Sequence, residues 1–88
     1  LKAMRAFIAK HVRYPEAARM LKKEGRVIIS AQVDTKGNLS QYKVMMSEDP
    51  LFDKEALRVV KLMPRFVPDG KGKVVAGTVE IPVMFRLK

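Results

Sequence analysis

The apolar positions of this chain change period three times along its length. Leu1, Met4, Phe7 and Ile8 recur at helical spacing and predict a short amphipathic helix. Val12-Arg13-Tyr14-Pro15 breaks it, because the residue before a proline is pushed towards extended backbone. Pro15 and Glu16 suit the first turn of a second helix. Ala17, Ala18, Met20 and Leu21 carry that helix to about Lys23, where Gly25 is expected to end it. From Arg26 the period becomes two. Val27, Ile29, Ala31 and Val33 alternate with Arg26, Ile28, Ser30, Gln32 and Asp34, which predicts a first strand.

Asp34-Thr35-Lys36-Gly37-Asn38 reads as a hairpin turn, with Gly37 free to take positive φ. The second strand starts at Leu39, yet Tyr42, Val44 and Met46 have the opposite parity, so a bulge is expected near Ser40-Gln41. Asp49-Pro50 has the pattern of an N-cap followed by proline in the first helical turn. Phe52, Ala56, Val59, Val60 and Met63 form the apolar face of the helix that follows, and Pro64 stops it. Residues 65–77, with one proline and three glycines, read as a loop.

Alternation returns over residues 78–87. Val79, Ile81, Val83, Phe85 and Leu87 face one way; Thr78, Glu80, Pro82, Met84 and Arg86 face the other. Pro82 has no N–H for a ladder, so this strand is expected at a sheet edge with the proline nitrogen on the unpaired side. The second and third strands are joined through a helix and run parallel, while the hairpin makes the first antiparallel to the second. A third strand beside the first then gives an α+β fold: a three-stranded antiparallel sheet in order 2-1-3, with the helices on one face. The order predicts an edge strand, and so does Pro82.

Composition narrows the function classes. Eighty-eight residues make one small domain, and a hydrophobic share of 48% excludes a disordered tail. No run of about 18 apolar residues spans a bilayer. The chain reads as a domain, residues 1–88, cut from something longer. Without cysteine there are neither disulfides nor thiolate metal sites. The net charge of +9 fits nucleic acid, an anionic membrane surface or an acidic protein partner. The cations are scattered, with no block of five or six, and nucleic-acid binding is the weaker alternative. No catalytic, metal or cofactor site is expected. His11 reads as a solvated side chain, and Glu48, Asp49 and Asp53 as helix-start carboxylates. Asp69-Gly70-Lys71-Gly72-Lys73 lacks the phosphate-loop pattern.

Tyr14-Pro15, Ala18, Glu24-Gly25-Arg26-Val27 and Val33-Asp34-Thr35-Lys36-Gly37 resemble the C-terminal domain of the energy-transducing TonB family. The resemblance continues through Asp53-Lys54-Glu55-Ala56-Leu57, Met63-Pro64-Arg65-Phe66-Val67-Pro68 and Ile81-Pro82-Val83-Met84-Phe85-Arg86-Leu87, and looks like the Bacteroidetes type. It covers essentially the whole chain; the order and spacing of the pieces carry it. Phe66 departs from the family's usual tryptophan, and Pro68-Asp69-Gly70 from its common Pro-Gly-Lys run.

The resemblance implies a non-enzymatic periplasmic domain whose parent is anchored in the bacterial inner membrane and coupled to an ExbB/ExbD motor. It also implies binding of the TonB box, a short segment of outer-membrane transporters, as a strand added along residues Thr78, Val79, Glu80, Ile81, Pro82, Val83, Met84, Phe85 and Arg86. Such a domain passes proton-motive-force-derived energy to uptake of nutrients or siderophores. Arg13 and Tyr14 stand where the family's motif contacts or supports the box; Tyr14 reads equally as a packing residue. A homodimer through the edge is left open. The alternative is a TonB-like partner-binding module of another membrane protein, such as a sensor or peptidase. The plainest reading of the last strand is an ordinary edge guarded by Glu80, Pro82 and Lys88.

Overall fold

Each change of period becomes an element. The computed structural model describes residues 2–63 and 76–87. Helix α1 is Lys2–His11, α2 is Glu16–Met20, β1 is Gly25–Val33, β2 is Leu39–Ser47, α3 is Asp53–Lys61 and β3 is Gly77–Phe85. The sheet has the expected order β2-β1-β3, antiparallel throughout. The expectations for residues 64–75, the Pro64 stop and the glycine-rich basic stretch among them, lie outside the described residues.

The odd residues of β1, Val27, Ile29, Ala31 and Val33, are buried, and so are Ile81, Val83 and Phe85 of β3. Val27, Ile29, Ile81, Val83 and Phe85 meet Ile8, Ala18, Phe52, Ala56, Val59, Val60 and Met63 in one core. α3 packs across β1 and β2, and α1 lies against α3. The helices therefore pack on the odd face of β1 and β3, and of the even residues Arg26, Pro82 and Met84 border α1 at the side of the sheet.

The turns follow their local chemistry. Asp34 Oδ1 accepts from the amides of Lys36 and Asn38, both at 2.9 Å, and Gly37 takes φ 86°. Asp49 Oδ1 accepts from the Leu51 amide at 3.0 Å, the expected cap, although the first turn after it, Pro50–Phe52, is 3₁₀ rather than α.

Two details differ from expectation. Gly25 does not end α2. That helix stops at Met20, Lys22 takes the left-handed conformation at φ 56°, and Gly25 opens β1. Space is tight at 25 instead: a Cβ there would lie 3.1 Å from Phe52 Cε2 and 3.3 Å from Glu48 Cβ. The second detail is in β2. The pairing slips where expected, opposite Ser30/Gln32, with Gln41 at φ 51°. It slips again between Ile28 and Ile29, where Met45 is the extra residue.

The end of α1 is tied to α3 by one carboxylate. Glu55 accepts from Arg58 Nε and Nη2, each at 2.7 Å, and from the Arg13 amide, while Arg58 Nη2 also donates to the His11 carbonyl at 3.0 Å. Burial alone would raise the Glu55 pKa, but the Arg58 and Arg13 bonds outweigh it and hold it below its ordinary 4.5. Backbone donors at Asn38 and Leu51 likewise hold Asp34 and Asp49 below 3.8. A depressed carboxylate contributes stability that is complete above its unfolded-state value and is lost as pH falls through the native one. The melting temperature is therefore expected to be level from pH 7 to about 5.5, then to drop continuously from about pH 4.5 downward. Thermal melts followed by circular dichroism across that range check this. Glu55→Gln should flatten part of the drop.

Candidate functional site

β3 is an edge strand: it pairs with β1, and no strand among the described residues lies on its other side. The pairing runs unbroken through nine positions, from Gly25↔Phe85 to Val33↔Gly77. β2, the opposite edge, carries two irregularities. Bulges discourage further pairing at an edge. The pairing of β3 with β1 shows no such irregularity.

The register also fixes which way the β3 backbone points. Pro82 sits opposite Ile28. Antiparallel ladders alternate between pairs that exchange hydrogen bonds and pairs that do not. A residue without an N–H belongs to the second kind. Thr78, Glu80 and Met84, which share Pro82's parity, therefore direct their amides and carbonyls away from β1, and Pro82 directs its carbonyl there. Val79, Ile81, Val83 and Phe85 use theirs on β1. Beyond the ladder, the Leu87 amide donates to Glu24 Oε2 at 2.7 Å.

The residues expected at the site thus divide in two. Thr78, Glu80, Pro82, Met84 and Arg86 are exposed, and Met84 has 43% of its surface in water. Ile81, Val83 and Phe85 are core side chains, and Val79 is half-buried against that core. Across the exposed face Gln32 Nε2 donates to Thr78 Oγ1 at 2.9 Å.

Tyr14 lies under one end of β3. Its ring stands edge-on to Phe85 and Phe52, with centroids 5.9 and 5.7 Å away. Its hydroxyl donates to the Lys23 carbonyl. Burial, with the Glu24 charge adding to it, raises the phenol above its ordinary 10.0. Tyr14 thereby braces the strand end from inside. Arg13 is exposed and borders, together with Tyr14, Leu51, Lys54 and Arg58, a cleft on the α3 side. Both expected neighbours line that cleft, and Tyr14 alone of the two packs edge-on against the ring of Phe85.

Sequence reading missed the wall beside the edge. A groove of about 420 Å³ runs next to β3, lined by Arg5, Ile8, Ala9 and Val12 of α1 and its C-terminal extension, and by Arg26, Pro82 and Met84 of the sheet. The helical period of α1 was visible; its position alongside the free strand was not. Among the described residues no three His, Asp or Glu side chains converge on a common point, and His11 is exposed, its ring tilted against Phe7 at 4.3 Å. No helix among the described residues is long and apolar enough to cross a membrane.

Comparison with known proteins agrees with this architecture. Residues 10–87 match the model of the Gram-negative bacterial TonB protein C-terminal family. The chain is 39% identical over 61 residues to the TonB protein of Haemophilus influenzae; the match takes in 68% of this chain but only 23% of that protein. A solution structure of the Helicobacter pylori TonB C-terminal domain superposes with a TM-score of 0.74 at 25% identity, covering 99% of this chain and 92% of that one. The Pseudomonas aeruginosa TonB C-terminal domain gives 0.63 at 28% identity, covering 86% of this chain and 78% of that one. With the family model spanning almost the whole sequence and the same fold in both solution structures, this chain belongs to the TonB C-terminal domain family.

Proposed function

We propose that β3 captures a short extended segment of an outer-membrane transporter, the TonB box, as a fourth strand, and that the domain transmits to it force derived from the proton-motive force. The observation that carries this reading is the outward row of backbone groups at Thr78, Glu80, Pro82 and Met84, which no strand among the described residues pairs, on an edge without bulges. Four to six hydrogen bonds to an added strand contribute roughly 0.5–1.5 kcal/mol each, offset by ordering of the segment. The resulting grip is modest and reversible, and backbone pairing tolerates varied sequences. One domain can then serve several transporters. The surplus positive charge would steer it towards acidic transporter faces.

In the same proposal residues 1–88 are one domain of a longer protein, held in the periplasm by an inner-membrane anchor and driven by an ExbB/ExbD motor. The chain spans about a quarter of the length of the Haemophilus influenzae relative, which leaves room for those parts. The test is an NMR titration with a synthetic peptide from a transporter's N-terminal segment. Saturable shifts concentrated between Val79 and Leu87 are expected; shifts confined to the helices would contradict the proposal. Exchanging Pro82 for Val supplies the missing outward donor. The variant should fold normally but self-associate through β3, seen as a rise in sedimentation coefficient with concentration. A strictly monomeric variant with unchanged peptide affinity would count against this use of the edge.

A further inference from the structure

A pull entering ahead of Lys2 and a pull on the edge of β3 load different elements. At β3 the load falls on the β1–β3 ladder, whose nine paired positions share it in one unbroken register. At Lys2 it falls on α1, whose backbone bonds lie along the helix axis and give way one after another from the end. Among the described side chains of α1, Ile8 is buried and Phe7 half-buried, whereas α3 buries Ala56, Val59 and Val60. Unwinding that starts at Lys2 halts only where something outside the helix holds the chain.

That place is residues 11–13. Arg58 Nη2 donates to the His11 carbonyl at 3.0 Å, and the Arg13 amide donates to Glu55 Oε2. Glu55 is itself locked by Arg58 Nε and Nη2, each at 2.7 Å. Both groups held on the α1 side are main-chain groups, and every bond in the set involves a charged partner, which makes it stronger than a neutral one. The Glu55 side chain is only 13% exposed, which limits screening by salt. The family match begins at residue 10. The shared body of the fold thus starts at this clasp, and α1 lies almost wholly ahead of it.

We infer that Glu55 and Arg58 form a mechanical stop: under load α1 unwinds as a separate, reversible step, and the clasp on residues 11–13 then passes the load to α3 and the core. The inference rests on the proposed transmission of force and adds where in the domain that force is taken up. The ten residues of α1 lengthen from about 1.5 to about 3.5 Å each, which gives about 2 nm of slack before the ladder with β3 is loaded.

The chain has no cysteine of its own, so handles attach cleanly at Lys2→Cys and Glu80→Cys for optical-tweezers extension. A reversible first step of about 2 nm is expected, followed by one large transition. In Glu55→Gln the first step should lengthen to at least about 3 nm, as release runs on through α2, and the large transition should move to lower force. Ile8→Ala should lower the force of the first step and leave its length unchanged, because the stop is intact. A single transition with no earlier step, or a first step of equal length with and without the Glu55 charge, would overturn the stop. Peptide capture on β3 is read separately by the titration. Capture together with a single mechanical transition leaves the proposed function standing and removes the stop; two-step extension without capture does the reverse.

Discussion

Ile81→Pro is expected to unfold the domain, whereas Glu80→Pro, one residue earlier, should leave it folded and abolish peptide capture. Ile81 is fully buried and, by the register, spends its amide on β1 opposite Ile29. Proline there removes a ladder bond, about 0.5–1.5 kcal/mol, and empties a core position, about 2–5 kcal/mol. A small domain has only about 5–15 kcal/mol in total. Glu80 is exposed and faces outward. Its substitution costs no internal hydrogen bond, and Pro82 already shows that this strand accommodates proline at that parity. The lost outward amide should weaken peptide binding at least tenfold, since an unmet carbonyl on the partner adds to the missing bond. Urea denaturation of both variants, with the titration repeated on Glu80→Pro, checks the contrast. Equal destabilisation by the two prolines would mean that the parity assigned to β3 is wrong.

Phe52→Ala should be the most damaging truncation of the core, by about 3–5 kcal/mol. The ring is fully buried and stacks on Phe85, with centroids 4.4 Å apart and planes inclined by 14°. Tyr14 stands edge-on to both rings. Three aromatic rings thus join the α1–α2 connection, the turn before α3 and the end of β3. Losing the middle one loosens the strand end as well as the helices. Gly25→Ala provides the coupled test: its Cβ crowds the Phe52 ring, so it should destabilise the natural protein clearly and cost much less once Phe52 is alanine. Equilibrium unfolding of the two single variants and the double variant measures that coupling. Additive effects would remove the packing explanation for glycine at position 25.

These cases mark what the sequence could and could not disclose. The sheet order was legible because three local facts agreed: alternation in three stretches, a helix between the second and third strands, and a proline in the last. The cap at Asp49 and the turn at Gly37 were legible because their partners lie within a few residues. Gly25 was misassigned because its reason is Phe52, distant in sequence. The second bulge in β2 was hidden by Met45 and Met46, two adjacent apolar residues that carry no parity. The groove was invisible for the same reason as Gly25: it exists only once α1 is laid beside a strand more than seventy residues away.

Amide hydrogen exchange tests the central claim most directly, because it reads each backbone donor of β3 separately. In the free domain the amides of Val79, Ile81, Val83 and Phe85 should exchange slowly and those of Thr78, Glu80 and Met84 rapidly. Saturation with a transporter N-terminal peptide should slow the second group to join the first. Slow exchange at Glu80 and Met84 before any peptide is added, or rapid exchange there at saturation, would contradict the account.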